Sequence, residues 1–113
     1  MLKAIFHIDE SAKWKLLLQN VQNLMQAAGP SPIRIEVLAN AEAVKDHQTL
    51  APSPGLDKMR QLAGGGVVFA ACNNSLRGFK IDPQQLPSFV QVVPAGVLEL
   101  VQRQADGYAY IKP

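Results

Sequence analysis

The only cysteine of the 113-residue chain, Cys72, has neighbours of the types that stabilise a thiolate. It follows the apolar run 67–71 and precedes Asn73, Asn74 and Ser75, whose side chains can donate hydrogen bonds. The thiolate is the nucleophilic form of cysteine, and donors beside it favour ionisation. If the polar residues begin a helix, their backbone N–H groups act in the same direction. Cys72 is therefore the first candidate for chemistry in this sequence.

The residues around Cys72 predict that it ends a buried strand. Three glycines at 64–66 release a preceding helix into the apolar run, and the polar residues after the cysteine end the strand. In a parallel α/β sheet the carboxyl ends of the strands form the edge at which ligands bind. The sequence therefore places Cys72 at the ligand-binding edge of a sheet.

The opposing interpretation of Cys72 is structural. Free cysteine is among the most buried residue types, and at the end of an apolar strand it packs as a small hydrophobe. Both interpretations fit the residues alone, and the reactivity of the thiol separates them.

Hydrophobic periodicity predicts the first elements of the chain. Residues 2–8 are short, apolar and partly β-branched, and they are expected to form the first strand. Apolar residues three and four apart, from Trp14 to Ala28, predict a helix with Asp9 or Ser11 as its N-cap. Trp14 lies on the apolar stripe of this helix, which is typical of a core or subunit-interface residue.

The second strand is predicted over residues 33–38. It carries Arg34 and Glu36 among its apolar positions, and a polar strand at the edge of the sheet would tolerate these charges. Residues 41–47 predict a turn or two of helix, and residues 48–55 have the composition of a loop. We expect this loop to be mobile and to lie over the site.

The remaining elements complete an alternating α/β pattern. After the strand that ends at Cys72, short helical turns are expected near residues 74–78 and at Asp82 and Pro83, followed by a strand over residues 89–93. Pro94 opens the last helix, and an edge strand, residues 108–111, ends the chain. The inner side of that helix is expected to carry four apolar residues, Val97, Leu98, Leu100 and Val101.

This order predicts one α/β domain over residues 1–113. Strands that alternate with helices are typical of a parallel sheet with helices on both faces, here a three-layer α/β/α arrangement around a mainly parallel five-stranded sheet. The carboxyl ends of its strands share one edge. The candidate site residues at that edge are His7, Asp9, Asn40, Cys72, Asn73, Asn74, Ser75, Pro94 and Gly96.

Three of these candidates have two interpretations each. His7 is either a hydrogen-bond donor or proton shuttle for Cys72, or a strand-end histidine bonded to a carbonyl, and the structural role is favoured. Asp9 is a helix cap in preference to a base. Asn40 either bonds the backbone at the sheet edge or lines the pocket.

Composition argues against several classes of partner. The net charge is +2, from 11 basic and 9 acidic residues without a long run of either sign, so we expect no nucleic-acid partner and no anionic membrane partner. No apolar run approaches the roughly 20 residues of a membrane span. The start of the chain lacks the features of a secretory signal, and one cysteine cannot form an internal disulfide. These observations predict a cytoplasmic protein.

Motifs for metals and cofactors are also absent. The glycines at 64–66 precede a strand, whereas a phosphate-binding loop joins a strand to a helix. His7 and His47 are far apart in sequence, and no Gly-x-Ser-x-Gly motif is present. We therefore expect neither a metal nor a cofactor.

The sequence resembles the DsrE/DsrF-like family, in its small single-domain, single-cysteine branch, along nearly the whole chain. The segments that carry the resemblance are IFHIDE at 5–10, IEVLAN at 35–40, FAACNNSL at 69–76, VPAGVLEL at 93–100 and GYAYI at 107–111. The resemblance implies a three-layer α/β/α fold and assembly into homotrimers or homohexamers. It also implies sulfur relay through a cysteine persulfide, with Cys72 as the sulfur acceptor and with sulfur donor and acceptor proteins as partners.

Two functions are therefore open. In the first, the chain is a sulfurtransferase-like sulfur carrier that uses Cys72. In the second, it is a non-catalytic subunit of the same fold and assembly that binds a small ligand or a protein, and Cys72 is merely packed. The absence of a second cysteine argues against thioredoxin-type dithiol chemistry in either case.

Overall fold

The computed structural model describes residues 1–49 and 52–113 of the chain. Leu50 and Ala51, which belong to the predicted loop, lie outside the described residues. The strands and α-helices, in chain order, are β1 (Leu2–Ile8), α1 (Trp14–Ala28), β2 (Ile33–Ala39), α2 (Leu56–Gly64), β3 (Val68–Cys72), α3 (Asn73–Gly78), β4 (Val90–Val93), α4 (Gly96–Ala105) and β5 (Ala109–Ile111). Short 3-10 helices cover Ser11–Lys13, Ala41–His47 and Pro83–Gln85.

The five strands form one parallel sheet in the order β4-β3-β2-β1-β5. In the register of the sheet, Phe6 of β1 lies opposite Val37 of β2, and Val37 lies opposite Phe69 of β3. The α/β fold with a parallel five-stranded sheet, which the alternation of strands and helices predicted, is confirmed.

Strand β2 lies at the centre of this sheet, and its predicted edge position is wrong. It pairs with β1 on one side and β3 on the other. Arg34 remains exposed, but Glu36 is only 5% exposed. The edge position was expected because a charged residue in a strand normally faces solvent. Glu36 is instead buried beneath α4, where its carboxyl group contacts that of Glu99.

The two faces of the sheet carry cores of different size. Because alternate residues of a strand point to opposite faces, Phe6, Val37 and Phe69 lie on the face that α1 and α2 cover. The other face carries a smaller cluster, which contacts α4, the one α-helix packed on that side among the described residues. Its buried members are Ile5, Leu38, Ala70 and Leu100.

Helix α1 follows its predicted apolar stripe but begins without the predicted cap. No side chain caps the helix or the 3-10 turn before it. Instead, the backbone N–H of Ser11 donates to the Glu42 carboxylate at 3.0 Å. Trp14 is buried in the core, and its indole N–H donates to the carbonyl of Ala43 at 3.1 Å. Gly29 ends the helix with a positive φ of 61°, a conformation that glycine adopts without steric cost.

Helix α4 buries fewer apolar residues than its periodicity predicted. Leu100 packs against the sheet at 8% exposure, whereas Val97, Leu98 and Val101 are 66%, 48% and 64% exposed. These three residues were expected on the inner side of the helix, and that prediction is wrong. The reason is that α4 lies alone on its face, over β1, β2 and β5, so only one row of its side chains reaches the sheet.

Candidate functional site

Cys72 is the last residue of β3, and its side chain lies on the face of the sheet that carries α4. Alternation along β3 places it on the same side as Ala70, which packs with Leu38 and Leu100. The residue is 5% exposed. Helix α3 begins at the next residue, as the polar sequence after the cysteine predicted.

Four donor groups around the sulfur of Cys72 affect its pKa. They are the Ser75 hydroxyl and the backbone N–H groups of Gly96, Ser75 and Asn74. Burial raises the pKa of the thiol, but the four donors together outweigh it, and the net shift of the Cys72 pKa is downward. The site therefore makes ionisation to the thiolate, the nucleophilic form, easier than for an ordinary cysteine.

Ser75 is itself held in place by a strained residue. The backbone N–H of Ala41 donates to the Ser75 hydroxyl oxygen at 2.8 Å, which leaves the hydroxyl hydrogen free to point at the sulfur. Ala41 has a φ of 51°, in the left-handed region that costs a non-glycine residue about 1–2 kcal/mol. Such strain persists where the surrounding structure requires it, and here it orients a donor of the thiolate.

Helix α4 begins in direct contact with the thiol. Its N-cap residue, Ala95, makes no side-chain capping bond, so the first N–H groups of the helix are free of the usual partner. The sulfur of Cys72 accepts the N–H of Gly96 in place of such a cap. A Cβ on Gly96 would lie 3.1 Å from Leu38 Cδ1 and 3.2 Å from Cys72 Cβ, so glycine permits the close approach.

His7 lies in a hydrogen-bonded row beside the thiol. Its Nε2 lies 2.9 Å from Asn40 Oδ1, and its Nδ1 lies 2.6 Å from the Tyr110 hydroxyl. Because Asn40 Oδ1 can only accept, Nε2 carries the proton and Nδ1 accepts the Tyr110 O–H, on the assigned orientation of the Asn40 amide. Among the described residues, His7 therefore donates to the side-chain carbonyl of Asn40 and makes no hydrogen bond to Cys72, which agrees with the structural interpretation of a histidine bonded to a carbonyl.

Three other candidates share the edge but make no hydrogen bond to the thiol. Asp9 accepts from Lys112 Nζ at 3.1 Å and caps no helix, so its predicted capping role is wrong. Asn73 begins α3, and Pro94 lies between β4 and α4. None of these residues is a donor to Cys72.

The sequence reasoning missed Ala41 and Tyr110 as site residues. An alanine carries no signal of a left-handed backbone. Tyr110 was expected in the last strand, but its place beside His7 depends on the pairing of β5 with β1, which the sequence does not specify. The one local signal for Tyr110 was its residue type, because a tyrosine near the carboxyl end of a strand can place its hydroxyl group in a site at that edge.

A pair of carboxyl groups, one buried and one partly exposed, lies on the same face of the sheet. Glu36 is hydrogen-bonded to Glu99 of α4, and its Oε2 has no partner within the described residues. Burial, the hydrogen bond with Glu99 and the charge of Glu99 raise the pKa of Glu36 to about 8, against a smaller opposing effect of Arg103. Arg103 in turn lies 3.8 Å from the Glu99 carboxylate. Glu36 is therefore protonated at neutral pH and donates to Glu99.

A groove of about 620 Å³ lies on the opposite side of the molecule, between α1 and the start of α2. Ser53, Pro54 and Gly55 line it, and Cys72 does not. Residues 53–55 of the predicted loop thus lie beside α1 and not over the thiol, where the loop was expected. Elsewhere in the described ranges, no three histidine, cysteine or acidic side chains lie close enough together to hold a metal ion.

Comparison with known proteins gives a family and a fold. Residues 4–113 match the DsrE/DsrF-like family. Among solved structures, the chain is similar to MTH1491 from Methanobacterium thermoautotrophicum, a protein of unknown function, with 37% identity, coverage of 100% of both chains and a TM-score of 0.91. No curated protein matches the chain. None of the helices, over residues 1–49 and 52–113, is long and apolar enough to cross a membrane. The match in sequence and in fold extends over almost every residue, and the protein belongs to the DsrE/DsrF-like family.

Proposed function

We propose that the protein is a sulfur carrier in which Cys72 accepts a sulfane sulfur and passes it on as a persulfide. The observation that carries this proposal is the position of Cys72 at the start of two helices, α3 and α4, where four donor groups around its sulfur lower the pKa of a buried thiol. A cysteine that serves only as a small hydrophobe needs no such donors. The family to which the chain belongs is associated with sulfur relay, which supports the same role.

The transfer is a displacement at sulfur. The Cys72 thiolate attacks the outer, sulfane sulfur of a donor, the S–S bond of the donor breaks, and the electron pair leaves with the remaining donor sulfur. The product is a Cys72 persulfide. In the second step an acceptor nucleophile attacks the terminal sulfur of that persulfide and releases the Cys72 thiolate. Because the chain has one cysteine, no internal disulfide competes with delivery to an acceptor protein.

The second candidate function is a binding subunit in which Cys72 is packed. The observation that favours it is the 5% exposure of the thiol, a value typical of a core cysteine. In that case the thiol reacts slowly in the folded chain. The two functions therefore differ in the accessibility of the same sulfur atom.

Intact mass spectrometry tests the carrier function. After treatment of the native protein with a sulfane-sulfur donor, we expect a gain of about 32 Da, one sulfur atom, on Cys72. The variant Cys72→Ser should show no gain and an unchanged state of assembly. If the native protein gains no sulfur, and iodoacetamide alkylates its thiol much more slowly than that of the unfolded chain, the binding-subunit function is supported instead.

We also propose that the chain forms a homotrimer or homohexamer through α4. The apolar stripe of Val97, Leu98 and Val101 is exposed in a single chain, and a second copy that covers it buries this area. Val97 directly follows Gly96, which contacts Cys72, so such a partner would border the thiol. The resemblance to the family supports the number of subunits.

Light scattering at micromolar concentration measures the assembly. The double substitution Val97→Lys and Val101→Lys should dissociate the oligomer, whereas Leu16→Lys, at a residue of α1 that is 47% exposed, should not. A monomeric native protein would contradict the proposal.

A further inference from the structure

Helix α4 is held on the sheet by few apolar contacts. Of its ten residues, Gly96 and Leu100 are buried, whereas α1 buries four large apolar residues. The other two residues that α4 turns towards the sheet are charged, and the side chains of Glu99 and Arg103 are 16% and 32% exposed. Few buried apolar contacts are typical of a segment that opens while the rest of a protein stays folded. The attachment of α4 therefore depends on its polar contacts.

Glu36 lies beneath α4 near the centre of the sheet. In the register of the sheet it is flanked by Ile5 of β1 and Val68 of β3, and its carboxyl group contacts that of Glu99. Its Oε2 atom is buried and has no partner within the described residues. A carboxylate here would have neither water nor a donor, so the folded chain keeps a proton on Glu36, and this proton bonds Glu99. One proton thus connects β2 to α4.

One arginine serves the three carboxyl groups around this contact. Arg103 lies 3.8 Å from the Glu99 carboxylate and 3.3 Å from that of Asp106, and its charge also acts on Glu36. The other charged or titratable groups on this face are Lys3 and His7 of β1, Arg34 of β2, Cys72 of β3, and Tyr108 and Tyr110 before and in β5. If Glu36 ionises, the guanidinium of Arg103 is shared among three carboxylates, and two of them are in contact.

We propose that the proton between Glu36 and Glu99 holds α4 on the sheet, and that its loss releases α4 while the rest of the chain stays folded. After the loss, a carboxylate on the sheet faces a carboxylate on the helix, and like charges in contact repel each other. Because the repulsion acts across the contact between β2 and α4, separation of the helix from the sheet relieves it. Separation also lets water reach both carboxylates.

Release of α4 uncovers the thiol. In the folded chain Cys72 is 5% exposed, and Gly96 at the start of α4 lies against it. When α4 leaves the sheet, this cover leaves with it. The inference concerns the access of solvent and reagents to Cys72, so it holds whether or not the thiol carries sulfur.

Hydrogen–deuterium exchange of the native protein, followed by mass spectrometry, tests the release. The protection factor of amides 97–105, corrected for the intrinsic effect of pH, should fall by about tenfold to a hundredfold from pH 6 to pH 9, because the open form has lost the proton of Glu36 over most of this range. At pH 9 the amides of α1 should be at least about tenfold better protected than those of α4. Equal protection of the two helices overturns the inference, since α4 would then open by global unfolding.

The variant Glu36→Gln keeps a donor for Glu99 and cannot ionise. In this variant the protection of α4 should fall by less than about threefold from pH 6 to pH 9. Glu10→Gln is the matched control, because it removes an exposed carboxylate just before the 3-10 turn at Ser11–Lys13, and it should behave like the native protein. A fall in Glu36→Gln as large as in the native protein overturns the inference.

Glu99→Gln decides the outcome if Glu36→Gln does not fold, as judged by circular dichroism. It leaves one carboxylate beside the guanidinium of Arg103 at the contact, so the protection of α4 should fall less than in the native protein. A fall as large as in the native protein again overturns the inference.

Alkylation of Cys72 by iodoacetamide tests whether α4 covers the thiol. The rate constant of the native protein is divided by that of Glu36→Gln at each pH, so that the ionisation of Cys72 largely cancels. This ratio should rise by about tenfold from pH 6 to pH 9, as the thiol of the native protein becomes accessible. A constant ratio overturns the role of α4 as the cover of Cys72. Failure of the carrier function is seen separately, as the absence of a mass gain with a sulfane-sulfur donor.

Discussion

Gly96 and Cys72 are packed so closely that a Cβ on Gly96 would lie 3.2 Å from Cys72 Cβ. At the same place the first N–H of α4 donates to the Cys72 sulfur. One contact thus determines both how near α4 comes to the sheet and how readily the thiol ionises. The distance leaves no free space for a methyl group, so a substitution that changes the packing also changes the chemistry.

Gly96→Ala should therefore reduce the reactivity of Cys72. The added methyl group forces α4 or the thiol to shift by a few tenths of an ångström, which weakens the N–H bond to the sulfur and raises the pKa of Cys72. We expect alkylation by iodoacetamide at pH 7 to slow by about threefold to tenfold. Gly64→Ala is the matched control, because a Cβ there meets no atom within 4 Å. Equal rates in the native protein and in Gly96→Ala would contradict the assignment of Gly96 as a donor.

Ser75→Ala should raise the pKa of Cys72 more directly. The substitution removes the hydroxyl that donates to the sulfur and leaves the N–H of Ala41 without its acceptor. The profile of alkylation rate against pH should move to higher pH, and the rate at pH 7 should fall by about tenfold. Ser75→Thr keeps the hydroxyl and should retain most of the rate. If Ser75→Ala titrates like the native protein, the hydroxyl does not stabilise the thiolate.

Glu36→Gln should remove a pH dependence of stability. The folded chain holds a proton on Glu36 up to about pH 8, whereas the unfolded chain releases it near pH 4.5. The unfolded state therefore binds fewer protons between these values, and the free energy of unfolding of the native protein falls as the pH rises through this range. The amide of the variant keeps a donor for Glu99 and cannot ionise.

Urea denaturation from pH 5 to pH 9 measures this effect. We expect Glu36→Gln to be more stable than the native protein by about 3 kcal/mol at pH 9, with a much smaller difference at pH 5. A difference that does not change with pH would show that Glu36 is not the titrating group.

His47→Leu should protect the protein against acid. His47 is fully buried, its two ring nitrogens have no partner among the described residues, and its ring packs edge-on against Trp14 with the centroids 5.2 Å apart. Burial lowers the pKa of His47 to about 4. Since the unfolded chain takes up a proton below about pH 6.5, the stability of the native protein falls as the pH drops from 6.5 to 4.

The leucine variant lacks this proton uptake. We expect it to be within about 1 kcal/mol of the native protein at pH 7 and more stable by about 2 kcal/mol at pH 4.5, as measured by urea denaturation. An acid loss of stability as steep as in the native protein would assign the titration to other groups.

The sequence by itself determined the elements of this protein and the place of its thiol. Apolar spacing and the glycines after α1 and before β3 are local signals, and they predicted the strands, the helices and a parallel sheet. They also placed Cys72 at the carboxyl end of a strand and Asn74 and Ser75 in the turn that follows it. These predictions hold because each depends on neighbours within a few residues.

Tertiary structure alone decided which groups from distant parts of the chain approach the thiol. The backbone N–H of Gly96 acts on the Cys72 sulfur because α4 packs against the sheet at this point. The backbone N–H of Ala41 donates to the Ser75 hydroxyl because Ala41 has a left-handed φ, which an alanine in the sequence does not predict. The Tyr110 hydroxyl bonds His7 because β5 pairs with β1. The two residues are 103 positions apart in the sequence. The burial of Glu36 likewise depends on the order of the strands. Long-range pairing is the physical reason, because the free energy that selects it is spread over the whole core and no short segment of sequence carries it.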